Sequence, residues 1–108
     1  MSHFFCPYLS CAVELTVERL KHIAERHPGT LPEYQQQLEA TLSNPDQIRQ
    51  SAIDANALLF SKWFDTIRTG RYLIAVVISN SDSQRHWIIT VYTARNFSKG
   101  EIIWQKEN

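Results

Sequence analysis

The spacing of apolar residues changes from a helical to an extended period near Pro45, and this change constrains the fold more than any other feature. Before Pro45, apolar stripes recur at helical spacing along residues 17–27 and 31–42. After it, apolar and polar residues alternate in successive short runs, which is the pattern of half-buried strands. The sequence therefore predicts an α+β fold in which two N-terminal helices pack on an antiparallel β-sheet.

Local signals indicate where the two helices begin and end. Thr16 is suited to cap the first helix, because its hydroxyl can accept a hydrogen bond from a backbone N–H of the first turn. Pro28 disfavours helical geometry at the preceding residue, so this helix is expected to end at His27. Pro32 suits the first turn of the second helix, and the turn signal SNPD (43–46) ends that helix.

The predicted strands are joined by connections that leave no room for crossover helices, so neighbouring strands are expected to be antiparallel. The sheet is predicted to have four strands, or five with a short last one. A segment before the first helix also alternates like an edge strand. The main strands are predicted at residues 47–53, 57–64, 71–79 and 86–94, the short last strand at 101–104, and the edge segment at 11–16.

Polar side chains inside these strands predict a wetter sheet face opposite the helices. In the last long strand, strict alternation places Ile88, Thr90 and Tyr92 on one face. Arg49 and Lys62 are the charged candidates in the earlier strands. Antiparallel sheets commonly have such a solvated face, and a ligand-binding face is the other interpretation.

The charges are unevenly distributed, although the formal net charge is zero. Basic side chains are in excess in residues 57–99, where Lys62, Arg85, Arg95 and Lys99 lie, and acidic ones are in excess in residues 1–56. A local positive surface is what a phosphate-bearing partner needs. A solvated sheet rim would explain the same charges, and net neutrality argues against indiscriminate binding of nucleic acid.

Other features narrow the function classes. Cys6 and Cys11 are the only cysteines, and no nearby histidine completes a four-ligand zinc pattern. We find no secretory signal, no apolar run near the roughly 20 residues that span a bilayer, and no glycine-rich phosphate loop. We therefore expect a cytoplasmic protein with no membrane association, no metal and no cofactor. The sequence carries no signal for an oligomeric state.

Several segments resemble one enzyme family. HIAERHP (22–28), NPDQIRQS (44–51), WIITVYTAR (87–95) and KGEIIW (99–104) are similar to the barnase–EndoU–colicin–RelE-like (BECR) ribonuclease superfamily, in its phage- and toxin-associated branch. The resemblance covers roughly residues 14–104. It implies a single nuclease domain over residues 1–108 that cleaves RNA without a metal, with RNA and a cognate antitoxin protein as partners.

The resemblance also implies roles for particular residues. His27 would act as general base or acid, because imidazole titrates near neutral pH. Arg26 or Arg49 would hold the phosphate, since a guanidinium matches two phosphate oxygens. Thr90 and Tyr92 would complete the catalytic site, with Tyr92 holding the nucleotide. The candidates for substrate contact are His22, Ser51, Lys62 and Arg95.

Other interpretations stay open, both for His27 and for the function of the whole chain. His27 continues an apolar stripe, where a histidine is commonly packed and hydrogen-bonded to the backbone. Relatives of the toxin type are often strongly basic, whereas this chain is neutral. The same fold without catalysis would serve as a binding module for a protein or RNA. An enzyme that acts on a small molecule is the other alternative, although no cofactor motif supports it.

Overall fold

The computed structural model describes residues 2–80, 82–97 and 100–107, and within them it has two helices and seven strands. The elements are β1 (Ser2–Cys6), β2 (Cys11–Leu15), α1 (Val17–Arg26), α2 (Gln35–Ser43), β3 (Gln47–Gln50), β4 (Ala57–Phe64), β5 (Arg71–Asn80), β6 (Arg85–Ala94) and β7 (Glu101–Gln105). The strands form one sheet in the order β1-β2-β6-β5-β4-β3-β7. All neighbours are antiparallel except β2 and β6, whose parallel pairing rests on Glu14 opposite Trp87.

The predicted α+β class, with two helices and a mostly antiparallel sheet, is confirmed. The predicted number of four to five strands is wrong, because an N-terminal hairpin of β1 and β2 extends one end of the sheet. The strand β1 was not predicted because Phe4, Phe5 and Cys6 are three consecutive apolar residues, which show no alternation. Phe4 and Cys6 are buried, whereas Phe5 points to the other side of the strand and is 62% exposed. The strand β3 is also shorter than predicted, since the chain turns at Ser51.

The helix ends follow the local signals closely for α1. Thr16 caps it, and its hydroxyl accepts a hydrogen bond of 3.1 Å from the backbone N–H of Arg19. The helix ends at Arg26, and His27 is its C-terminal cap residue. The start of α2 falls at Gln35 rather than near Pro32, which lies in the turn before it.

The helices cover one face of the sheet, here called the helix face. Ile23, Leu38 and Leu42 from the helices belong there to one core cluster that also contains residues of every strand from β1 to β6. The opposite face, here called the far face, carries a smaller apolar cluster built on β4 and β5. Its buried members are Ala57, Leu59, Ile74 and Val76.

A β-bulge in β6 changes which residues of that strand share a face. Val77 pairs with Ile88, but its neighbour Val76 pairs with Thr90, so Ile89 is an extra residue in the ladder. Ile88 therefore packs on the helix face, whereas Thr90 and Tyr92 belong to the far face. The prediction that Ile88 shares a face with Thr90 and Tyr92 is wrong for this reason.

Removal of the α1 cap should weaken the fold by a modest amount. We expect Thr16→Ala to lower the free energy of unfolding by about 1 kcal/mol, because a backbone N–H of the first turn loses its acceptor. Urea denaturation followed by circular dichroism measures this change. Thr16→Ser keeps the hydroxyl and should retain most of the stability. Equal losses in the two variants would contradict a capping role for the hydroxyl.

Candidate functional site

The C-terminal end of α1 lies beside β6. Strand β2 pairs with β6 only where Glu14 faces Trp87, and the chain then turns into α1, which packs along β6. This path brings His27 to Tyr92, and their ring centroids lie 5.8 Å apart with the planes tilted by 33°. Both side chains are half-buried. An imidazole and a phenol thus meet in a position that solvent and ligands can reach.

The backbone of His27 is occupied by the helix end, but its ring is not needed there. The backbone N–H of His27 donates to the carbonyl of Ile23 at 2.8 Å, and its carbonyl accepts from the N–H of Thr30 at 3.3 Å. These bonds, with Pro28, terminate the helix without the side chain. The imidazole is therefore directed at Tyr92 by the fold rather than used in capping.

Thr90 and Tyr92 lie on the same side of β6 because the bulge precedes both. They pair with Val76 and Ile74, two neighbouring far-face positions of β5. Residues two apart in a strand are roughly 7 Å apart, so the Thr90 hydroxyl and the Tyr92 ring are neighbours on one surface. His27, Thr90 and Tyr92 are here called the His27 cluster.

Three of the predicted basic candidates lie near the His27 cluster in the chain. Arg26 precedes His27 and is exposed, and Arg95 follows β6 three residues after Tyr92 and is also exposed. His22 is exposed on α1, but five residues of helix rotate it by about 140° from His27. Among the predicted basic candidates, Arg26 and Arg95 are thus the exposed arginines nearest to this cluster in the sequence.

The expectation that Arg49 converges with His27, Thr90 and Tyr92 on one pocket is wrong. Arg49 of β3 pairs with Leu59 of β4, Leu59 with Val76 of β5, and Val76 with Thr90 of β6. Arg49 and Thr90 therefore share the far face, with two strands between them. Three interstrand spacings amount to about 14 Å. Alternation predicted the common face correctly, but the order of strands in the sheet was not accessible to it.

The Arg49 side chain is engaged locally. Its Nε donates to Oε1 of Gln47 at 2.6 Å, and its Nη1 donates to the carbonyl of Gly100 at 3.3 Å. Its guanidinium also lies 5.4 Å from the centre of the Phe97 ring. These contacts hold Arg49 between β3 and the start of β7.

Ser51 and Lys62 have structural partners away from the His27 cluster. The hydroxyl oxygen of Ser51 accepts hydrogen bonds from the backbone N–H groups of Ile53 and Asp54, at 3.1 and 3.3 Å. Lys62 pairs in register with Leu73 of the helix-face core, so it does not contribute to the far face. Its Nζ donates to the carbonyl of Asn44, the C-terminal cap residue of α2, where the helix end favours a cation.

The predicted positive region of the β half is reduced by ion pairs. Nζ of Lys62 lies 3.7 Å from a carboxylate oxygen of Asp46, and Nε of Arg85 lies 3.0 Å from one of Glu14. The Arg85 guanidinium also stacks over Trp87. Arg95 is exposed, and Lys99 lies outside the described residues. The β half is therefore less basic than the sequence count suggests.

Sequence reasoning missed a row of aromatic rings on the far face. The rings of Trp63 and Tyr72 meet edge to face at 5.0 Å, and Tyr72 and Phe97 lie 4.2 Å apart. Phe97 lies three residues after the end of β6, and its contact with Tyr72 places its ring on the far face. Trp63 is 41% exposed. Trp63, Tyr72 and Phe97, followed by Arg49, are here called the aromatic row.

Two sequence signals could have revealed part of this row. The turn between the predicted strands 57–64 and 71–79 places Trp63 opposite Tyr72. Gly70 has a φ of +118°, and a Cβ there would lie 2.5 Å from Cζ2 of Trp63. A glycine at this position therefore lets the indole lie against the backbone, and its Nε1 then donates to Asp65 at 2.6 Å.

The described residues contain no cluster of three or more His, Cys, Asp or Glu side chains that would hold a metal ion. Neither α1 nor α2, the helices described here, is long and apolar enough to cross a membrane. Comparison with known proteins gives no further guide, since no family model, curated protein or solved structure matches the chain. The function is therefore inferred from the geometry and chemistry of the His27 cluster.

Proposed function

We propose that this chain is a metal-independent endoribonuclease of the toxin type, with the BECR fold as a single nuclease domain over residues 1–108. The observation that supports it best is the contact between the rings of His27 and Tyr92, 5.8 Å apart at a half-buried position. Histidine is the side chain best suited to accept and return a proton near neutral pH. RNA supplies its own nucleophile, the 2′-hydroxyl, so the protein needs no nucleophilic residue.

The proposed reaction assigns one task to each part of the His27 cluster. His27 takes the proton of the 2′-hydroxyl, whose oxygen attacks the adjacent phosphorus while the bond from phosphorus to the 5′-oxygen breaks. Water donates a proton to the departing 5′-oxygen, and the protonated His27 neutralises the hydroxide that remains. The products are a 2′,3′-cyclic phosphate and a 5′-hydroxyl. Arg26 and Arg95 flank the phosphate, where cations stabilise the charge that develops. Thr90 and Tyr92 hold the nucleotide for in-line attack.

The aromatic row supports RNA as the substrate. Trp63, Tyr72 and Phe97 lie on the same far face as Thr90 and Tyr92, and Ala94 at the end of β6 pairs with Tyr72. Bases of a single strand stack on aromatic side chains, each stack contributing about 1–3 kcal/mol. A strand cleaved at Tyr92 can therefore continue along this row. The free thiols at Cys6 and Cys11 fit a cytoplasmic site of action, and a cognate antitoxin is the proposed protein partner.

Incubation with RNA in the presence of a metal chelator tests the proposal. The purified chain should cleave a single-stranded RNA, and mass spectrometry should find fragments with 2′,3′-cyclic phosphate ends. An RNA with 2′-O-methyl groups throughout should stay intact, because it lacks the nucleophile. Cleavage of that RNA, or no cleavage of any RNA with or without chelator, would contradict the proposal.

A catalytically inactive binding module is the second candidate function, and the ion pairs of the β half favour it. Lys62 and Arg85 are both engaged by carboxylates, and the chain is formally neutral. Such a protein would bind an RNA or protein partner without changing it. Retention of intact RNA, measured by fluorescence anisotropy, together with the absence of cleavage products, would replace the first proposal with this one.

A further inference from the structure

The two cysteines face each other across the N-terminal hairpin. Cys6 ends β1, Cys11 begins β2, and they are register partners. Opposite residues of an antiparallel pair point to the same side, with Cα atoms about 4.5–5.5 Å apart. A disulfide needs a Cα separation of about 4.4–6.8 Å, and the usual spacing of such register partners lies within that range. Both thiols are free in the structure.

The turn between the cysteines is built to hold them in register. The backbone N–H of Leu9 donates to the carbonyl of Cys6 at 3.2 Å, and that of Ser10 donates to the carbonyl of Pro7 at 3.0 Å. Ser10 adopts a left-handed conformation with a φ of 56°, which reverses the chain. The pairing therefore belongs to a tight, hydrogen-bonded hairpin.

The two thiols differ in access, which sets the order of any reaction. Cys6 is fully buried in the helix-face core, where it packs with the hydrophobic residues of β1 and β2. Cys11 is half-buried and lines an open pocket of about 440 Å³, together with Ser10, Gln84 and His86. A small molecule from solution therefore reaches the Cys11 thiol first, and the buried Cys6 thiol can react only in the second step.

We infer that Cys6 and Cys11 form a redox-active dithiol that exchanges with low-molecular-weight disulfides such as oxidised glutathione. The Cys11 thiolate attacks one sulfur of the disulfide, which forms a mixed disulfide and releases one glutathione thiolate. The Cys6 sulfur, on losing its proton, attacks the Sγ of Cys11 and expels the second glutathione. Two protein thiols are oxidised to one disulfide, one glutathione disulfide is reduced to two thiols, and the two protons pass to them.

A disulfide between Cys6 and Cys11 would affect two surface pockets beside the hairpin of β1 and β2. Its turn, residues 7–10, lies between two pockets, because Pro7 and Tyr8 line one and Leu9 and Ser10 line the other. Tyr8 also packs edge to face on Phe60 in the core, with ring centroids 6.3 Å apart. A disulfide at the base of the turn would fix both pocket walls in one arrangement. This inference does not depend on the proposed ribonuclease activity.

Intact-mass spectrometry of the full chain after incubation with oxidised glutathione tests the inference. The expected product is a protein lighter by two hydrogen atoms, with no retained glutathione, and a peptide map that links Cys6 to Cys11. Reduced glutathione in excess should restore the original mass. A stable glutathione adduct, a disulfide-linked dimer, or an unchanged mass would each overturn the inference.

Single-cysteine variants separate the two roles. Cys6→Ala and Cys6→Ser leave Cys11 without its partner, so the mixed disulfide at Cys11 should accumulate. Cys11→Ser leaves only the buried thiol, which should stay unmodified in the folded protein and react after denaturation. If Cys6 reacted as fast as Cys11 in the folded chain, the proposed order of attack would be wrong. Circular dichroism of each variant shows whether it is folded.

Alkaline conditions should accelerate this exchange. Burial is the main cause that raises the pKa of the Cys6 thiol, and burial also raises the pKa of the Cys11 thiol. A raised pKa lowers the fraction of thiolate, which is the attacking species, at neutral pH. Below the pKa of Cys11, the rate of oxidation should therefore rise about tenfold per pH unit. A rate that does not change between pH 7 and 9, followed by mass spectrometry, would contradict the attack by a Cys11 thiolate.

Discussion

Replacement of His27 by alanine is expected to lower the rate of RNA cleavage by about 10²–10⁴-fold, the usual effect of removing a general acid or base. The substitution removes the imidazole that lies 5.8 Å from the Tyr92 ring. The fold should survive, because the helix end is held by backbone bonds of His27 to Ile23 and Thr30, which alanine retains. Cleavage of a labelled RNA in chelator, followed over time, measures the effect.

A matched histidine elsewhere provides the control. His3 is exposed on β1, at the end of the sheet order, and has no place in the proposed site. His3→Ala should therefore cleave RNA at the rate of the unmodified protein. Equal rates in the His27→Ala and unmodified proteins, with both folded by circular dichroism, would remove His27 from the mechanism. A loss caused by unfolding would show as a changed spectrum.

Features that depend on a few neighbouring residues were predictable from the sequence. Thr16 and Pro28 set the limits of α1 through capping and backbone restriction, and both signals act within one turn. The strand β4 has the predicted bounds, Ala57–Phe64, since alternation and flanking turns agree there. The cap, the proline restriction, the alternation and the turns all depend on residues near one another in the sequence, so the sequence alone indicates them.

The bulge in β6 shows where periodicity stops being informative. Trp87, Ile88 and Ile89 are three consecutive large apolar residues, so apolar and polar residues do not alternate where the bulge occurs. The sequence there does not indicate which of these residues faces which side of the sheet. The shift sends Ile88 to one face and Thr90 to the other. A one-residue change of register reverses the side chains on one side of the bulge relative to the other, which is why Ile88 does not share the face of Thr90 and Tyr92.

The candidate site was predictable only in part, because its members come from distant strands. Ile23 from the apolar stripe of α1 is buried in the core, whereas Val17 at the start of the stripe is exposed, and His27 does contact Tyr92. The position of Arg49 depends on which strands pair, and the order β6-β5-β4-β3 puts two strands between it and Thr90. Phe97 follows β6, where the alternation has ended, so no local pattern predicts its contact with Tyr72.

The second large effect is expected in the core. Phe60 is fully buried on the helix face of β4, between Ile48 of β3 and Ala75 of β5. The small Ala75 side chain beside it leaves room for the ring, and Tyr8 packs against it edge to face. Phe60 therefore connects the sheet to the hairpin turn, and shortening it would leave a cavity that these neighbours cannot fill.

We expect Phe60→Ala to lower the free energy of unfolding by about 3–5 kcal/mol, because the lost transfer free energy of the ring adds to the cost of the cavity. Small domains have about 5–15 kcal/mol in total, so this variant should retain little stability at 25 °C. Urea denaturation compares it with Phe5→Ala, which removes the same ring from a site that is 62% exposed. Phe5→Ala should change the stability by less than about 1 kcal/mol, since most of its ring already contacts water. Similar losses in the two variants would show that burial of Phe60 is not what holds the hairpin and the sheet together.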